Sequence, residues 1–225
     1  MGNGLLLRYD RDAYQLEAEV NGLLPLIHRL LLTVLILGCG LLSLTTLSRS
    51  SASTPAPTLS AIALQVHDLP ARFFEASGAY QSNSDIARAN GVTVASLRRR
   101  GRIMGYLVQY QRDSSRGAVL VANDLIEYKT AGDALAEYRL GVAGDAQFRG
   151  NAGYRRLADP SRGTALVTFR CRCDYRDETH DVLDSYEGNY YFWIELHFVT
   201  GTASPKAMAR RLLHYAALIK SRTPL

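Results

Sequence analysis

The chain has 225 residues, 47% of them apolar and 21% charged, with a formal net charge of +5. Thirteen tyrosines, six phenylalanines and one tryptophan exclude a disordered polypeptide. Three cysteines are too few for a disulfide framework, and the length allows one or two domains.

Residues 1–29 carry Arg8, Arg11 and Arg29 against Asp10, Asp12, Glu17 and Glu19, so the basic surplus falls on the rest of the chain. The start MGNGLL lacks the Ser or Thr of a myristoylation signal, because Leu6 stands there. Leu30–Leu47, LLLTVLILGCGLLSLTTL, has no charge and no proline. As a helix it spans about 27 Å, close to the roughly 30 Å hydrocarbon core of a bilayer. Three arginines precede it and only Arg49 follows before Arg72. The positive-inside rule then puts segment 1–29 in the cytoplasm and the C-terminal bulk outside. The expectation is a single-pass transmembrane anchor in the cell membrane. A second reading competes with it. Ile36-Leu37-Gly38-Cys39 resembles a bacterial lipobox, which makes Cys39 a candidate lipidation site at the end of a cleaved lipoprotein signal. Gly40-Leu41-Leu42 keeps the chain apolar past Cys39, which favours the uncleaved anchor.

Residues 48–60, SRSSASTPAPTLS, have the composition of an exposed linker. A folded domain follows over 61–225. Ile62–Val66 is a short apolar run ended by His67-Asp68-Leu69-Pro70. Ser84 is a candidate N-cap for a first helix closed by Gly91, and Thr93 caps a second that reaches Arg100. Ile103–Arg112 alternates with a period of two, as does Ala118–Tyr128, so both read as strands joined by a loop at 113–117. Thr130 caps a helix with Asp133 at its third position. Thr164–Tyr175 reads as a third strand with Ala165, Val167, Phe169, Cys171, Cys173 and Tyr175 on its core face. Val182–Tyr186 and Tyr190–Val199 read as a hairpin around Glu187-Gly188-Asn189, and the second strand is apolar on both faces near Trp193. Ser204-Pro205 opens a final helix whose Met208, Leu212, Tyr215 and Ile219 form one stripe. The fold class is α+β: an antiparallel sheet with helices packed on one face, preceded by one transmembrane helix.

Asp85-Ile86-Ala87, Gly91-Val92, Val94 and Leu97 resemble a helix-turn-helix, with Arg98–Arg100 and Arg102 as phosphate contacts. The same residues resemble part of a LysM glycan-binding module. A strand follows where a third helix belongs, and an outside location removes nucleic acid as a partner, so the pair reads as a capped helical corner. Cys171, Cys173, Asp174, Asp177, His180 and Asp181 form the densest set of ligand-type residues, but no second motif completes a zinc spacing. They read as two small core cysteines and a polar loop. A disulfide between Cys171 and Cys173 would strain a strand. His67 and His197 have no partnered nucleophile. Glu195 and His197 share a strand face and read as a satisfied neighbour pair. No catalytic, cofactor-binding or metal-ligating set is assigned.

Leu69-Pro70, Phe73, Gly101-Arg102, Gly105-Tyr106 and Glu127-Tyr128 ahead of a helix resemble uncharacterised bacterial secreted or lipid-anchored domains whose α+β layout is similar to PsbP/Mog1-like sandwiches. That resemblance covers residues 62–220 and implies no catalytic residues. The functional expectation is a membrane-anchored extracytoplasmic domain with a binding or structural role, toward an envelope polymer or protein partner. The alternatives are a hydrolase-type envelope enzyme and a sensor or assembly subunit.

Overall fold

The computed structural model describes residues 57–224, apart from 114–115, 159–161 and 174–175, and of 172, 173 and 176 the backbone alone. Segment 1–29, the Leu30–Leu47 stretch and Cys39 lie outside the described residues. Among those described, no helix is long and apolar enough to cross a membrane.

Seven strands form one antiparallel sheet: β1 (Phe74–Gln81), β2 (Arg102–Gln111), β3 (Ala118–Tyr128), β4 (Arg155–Ala158), β5 (Thr164–Cys173), β6 (Arg176–Glu187) and β7 (Tyr190–Val199). Their spatial order is β1-β2-β3-β7-β6-β5-β4. Two meanders, β1–β3 and β4–β7, therefore meet along their last strands, β3 against β7. Both central strands are largely buried on both faces, the pattern of a strand covered on both sides. The helices are α1 (Leu59–Ile62), α2 (Asn83–Asn90), α3 (Val94–Arg99), α4 (Ala131–Gly144) and α5 (Pro205–Arg222).

Helices lie on both faces of the sheet, not on one. Met208, Leu212, Tyr215 and Ile219 of α5 pack with Leu166, Leu183, Ile194, Leu196 and Phe198 in the main core. Strand side chains alternate, so Asp184, Tyr186 and Tyr191 point the other way, and there they meet α4. Tyr138 of α4 lies against Tyr186 with ring centroids 5.1 Å apart. A Cβ on Gly141 of α4 would fall 2.6 Å from Asp184 Oδ1 and 2.8 Å from Tyr191 Oη, so only glycine allows this approach. Each central strand thus leads into a helix, and the two helices cover opposite faces.

The α5 face is pinned by polar contacts at its edge. Asn123 Oδ1 accepts from Leu64 N at 3.1 Å, and Tyr110 Oη donates to Leu64 O at 2.7 Å. Arg222 makes a two-pronged pair with Asp68 at 2.8 and 2.6 Å, and its Nη1 also donates to Ala63 O. These bonds tie residues 59–69 to the sheet and to the end of α5. Leu59 and Ser60, read from sequence as the end of the linker, begin α1, because Leu59 is buried in the core.

Several element boundaries differ from the sequence reading. The cap of α2 is Ser82, not Ser84. Ser82 Oγ accepts from Asp85 N, and Asp85 Oδ2 accepts from Ser82 N at 2.9 Å, a reciprocal capping box. Gly91 closes α2 at φ 70, Thr93 caps α3, Thr130 caps α4, and Pro205 opens α5, all as expected. Strand β1 has no alternation to announce it: it is an exposed edge strand with Phe74 and Tyr80 in contact with solvent. Strand β6 starts at Arg176, so most of the expected polar loop before Val182 is strand.

Candidate functional site: a carboxylate and imidazole cluster

The longer β6 changes what faces what. Glu187 pairs with Tyr190 across a two-residue turn, and the register runs on without a slip to His180 opposite His197. Val182 lies opposite Glu195 and Glu178 opposite Val199. Both strands carry Glu-x-His, and residues two apart share a face. Glu178, His180, Glu195 and His197 therefore converge on the α4 face of the sheet.

The two imidazoles stack with centroids 3.7 Å apart at 25°. The carboxylates lie at opposite edges of this stack. Glu195 Oε1 accepts from His180 Nδ1 at 3.0 Å and lies 2.9 Å from His197 Nε2. The second distance is an ion-pair contact without an aligned hydrogen bond. Glu178 Oε2 lies 3.4 Å from His197 Nδ1 and 3.7 Å from His180 Nε2. His180 Nε2 is buried and makes no hydrogen bond. Phe169 adjoins His180 at 5.2 Å, and Phe148, on the 3-10 turn after α4, stacks on Phe169 at 4.4 Å. An aromatic pair thus walls one flank. The cluster grades from sealed to open: the Glu195 side chain is 5% exposed, His180 8%, Glu178 11% and His197 15%.

The charges are mutually supporting. The imidazoles beside Glu178, His180 first, pull its carboxyl down to about 2. Burial alone would raise the Glu195 carboxyl, but His197 and His180 outweigh it and hold Glu195 below the usual carboxylate range. Burial would lower His197, yet the two carboxylates push it up to about 9. Two carboxylates thus flank His197, and a nitrogen of His180 is left aimed at Glu178.

Glu195 and His197 are neighbours as expected, but they belong to a set of four. Of the Cys171–Asp181 group, His180 joins the cluster. Cys171 lies opposite Glu178 in the β5–β6 register and is disulfide-bonded. Asp177 is exposed. Asp181 is buried on the opposite face, opposite Thr168 and Leu196, where burial pushes its carboxyl up to about 6. The Cys173 side chain and Asp174 lie outside the described residues. His67 sits beside Asp68 at 3.6 Å on the α5 side, apart from the cluster. Arg98, Arg99 and Arg100 are exposed. Arg102 is not: it is buried and donates to Asn83 Oδ1 at 2.8 Å and Gln81 O at 3.0 Å, so it is no phosphate contact. Glu178 was not singled out from sequence at all.

The fold and cluster define an α+β domain built on a seven-stranded antiparallel sheet, with buried acid–base groups on one face. No known protein family matches the chain. No curated protein matches it either. Among solved structures, the fold is similar to that of the extracellular domain of PknH from Mycobacterium tuberculosis, with a TM-score of 0.51 over 73% of this chain and 93% of that one. At 12% sequence identity, the likeness is one of fold.

Proposed function

We propose that residues 57–225 form an extracytoplasmic ligand-binding domain held at the cell membrane by Leu30–Leu47. The observation that carries this reading is an uncharged 18-residue run ahead of a domain whose fold is similar to an extracellular domain over 93% of the latter's length. The α4 face, with its cluster of carboxylates and imidazoles, is the binding surface. A hydrolase-type envelope enzyme is the second reading, favoured by the convergence of His180, His197, Glu178 and Glu195, whose residue types serve acid–base and metal-assisted chemistry. A role as a sensor or assembly subunit uses the same surface with a protein partner.

Protease shaving of intact cells tests the location, with mass measurement of the mature N-terminus. Digestion of the domain before lysis is the expected result, and digestion only after lysis contradicts it. A mature chain starting at a lipid-modified Cys39 selects the lipoprotein anchor, and an intact Leu30–Leu47 selects the transmembrane one.

A further inference from the structure

The cluster carries more than a general binding role. We propose that Glu178 Oε2, His180 Nε2 and His197 Nδ1 form a transition-metal site for zinc, with Glu195 behind it orienting the imidazoles. The three donor atoms all lie within 4.8 Å of one another. Tetrahedral zinc with bonds of about 2.0–2.1 Å places neighbouring donors about 3.3–3.4 Å apart. The observed Glu178–His197 and Glu178–His180 separations of 3.4 and 3.7 Å are close to that edge; the two imidazole planes, now stacked at 25°, must swing apart for both lone pairs to meet one ion. Two imidazoles and one carboxylate select zinc and its neighbours in the first transition row over calcium or magnesium, which take oxygen ligands.

The two edges of the stack are not equivalent. On the Glu195 edge the contacts are 3.0 and 2.9 Å, hydrogen-bond and ion-pair lengths too short to enclose an ion, and that carboxylate is the most deeply buried. On the Glu178 edge His180 presents a buried nitrogen with no hydrogen bond. On that edge Glu178 and His197 keep 11% and 15% of their side-chain surface exposed, more than Glu195 and His180. Glu195 holds the proton of His180 on Nδ1, which leaves the lone pair on Nε2 facing Glu178. Metal-bound histidines commonly have such a carboxylate behind them. Three protein ligands leave one position of a tetrahedron for water or for a donor atom of a ligand. The inference rests on the cluster alone, and it holds on whichever side of the membrane the domain lies.

The test is zinc titration of the full chain, purified without a polyhistidine tag and stripped with a chelator, in competition with a chromogenic chelator. One zinc per chain is expected. Glu178→Gln and His180→Ala should each weaken binding by about 100-fold or more, and Glu195→Gln by about 10–100-fold, as for residues that orient a ligand. Exposed His67→Ala and His214→Ala should change nothing. Cobalt substitution should give the intense visible bands of a tetrahedral centre in the parent chain and lose them in Glu178→Gln. Thermal unfolding in excess chelator identifies any variant that fails to fold, and Glu178→Gln, at the open rim, is the variant expected to keep its fold. A parent chain that binds no zinc, or binds it unchanged in a folded Glu178→Gln, overturns the proposal.

Discussion

The two faces of the sheet are built from the same strands yet hold different chemistry. On the α5 face, β3, β6 and β7 present Val121, Leu125, Leu183, Ile194, Leu196 and Phe198 to an apolar helix stripe. On the α4 face the neighbouring positions are Asp124, Asp184, Glu195, His197, His180 and Glu178. One face obtains its stability from area removed from water. The other buries a cluster of carboxylates and imidazoles that face one another. The contrast separates residues that hold the fold from residues available for function, and it predicts that the two sets respond to different perturbations.

The largest effect on stability should come from the α5 face. Leu212 is fully buried there, and Leu212→Ala should cost about 2–5 kcal/mol in urea unfolding through lost contacts and a residual cavity. A smaller loss is expected at the edge of the same face. Arg222→Ala removes the pair with Asp68 and the bond to Ala63 O, a cost of about 1.5–3 kcal/mol. The pH dependence should change with it. Burial raises the Asp68 carboxyl, but Arg222 and the Gln65 backbone N–H outweigh that and hold it below its ordinary 3.8. Its stabilisation is therefore present above that value and lost as pH falls through the folded value. Unfolding curves of Arg222→Ala between pH 5 and pH 2, of order those limits, should show a flatter acid loss than the parent; an equally steep loss would remove Asp68 from the account.

Asp124, on the α4 face, should answer in the opposite direction. Burial pushes the half-buried Asp124 carboxyl from 3.8 up to about 7. A raised carboxyl favours the fold fully below 3.8 and loses that contribution as pH rises through about 7. Asp124→Asn should then be more stable than the parent by about 1–2 kcal/mol near pH 8 and show no gain near pH 4. A gain independent of pH would mean that it does not come from the ionisation of Asp124. The smallest effect lies away from both faces: Ser82→Ala, which removes the cap of α2, should cost about 1 kcal/mol and leave metal binding untouched.

The α+β class and the order of elements from Arg102 onward, apart from the short edge strand β4, are legible in the sequence, because period-two alternation and side-chain caps are local signals. The α5 stripe at Met208, Leu212, Tyr215 and Ile219 is equally plain. Strand β1 is not, since an exposed edge strand has no buried side to mark it. The second covered face is visible only in part: the apolar run around Trp193 implies cover on both sides, but nothing local says that α4 supplies it. The site was closer to legible than its four scattered residues suggest. A two-residue turn at Gly188-Asn189 fixes the pairing arithmetic, and extending β6 back through the polar stretch places His180 opposite His197. The repeated Glu-x-His then puts all four groups on one face. The polar composition of residues 176–181 conceals this, because strand propensity gives way to tertiary pairing there. The buried state of Arg102 depends on Asn83 and Gln81, residues that only the folded chain brings near it.

The claim that one face holds the fold while the other holds a site is tested most directly by the unfolding midpoint of the full chain, measured with and without zinc. A ligand that binds only the folded state stabilises it by about 2.7 kcal/mol at 100 times its dissociation constant. The parent chain should show that rise. Leu212→Ala and Glu178→Gln should both start lower, the first rising by the same increment and the second not rising. An equal rise in Glu178→Gln, or the loss of the increment in a folded Leu212→Ala, would contradict the division between the two faces.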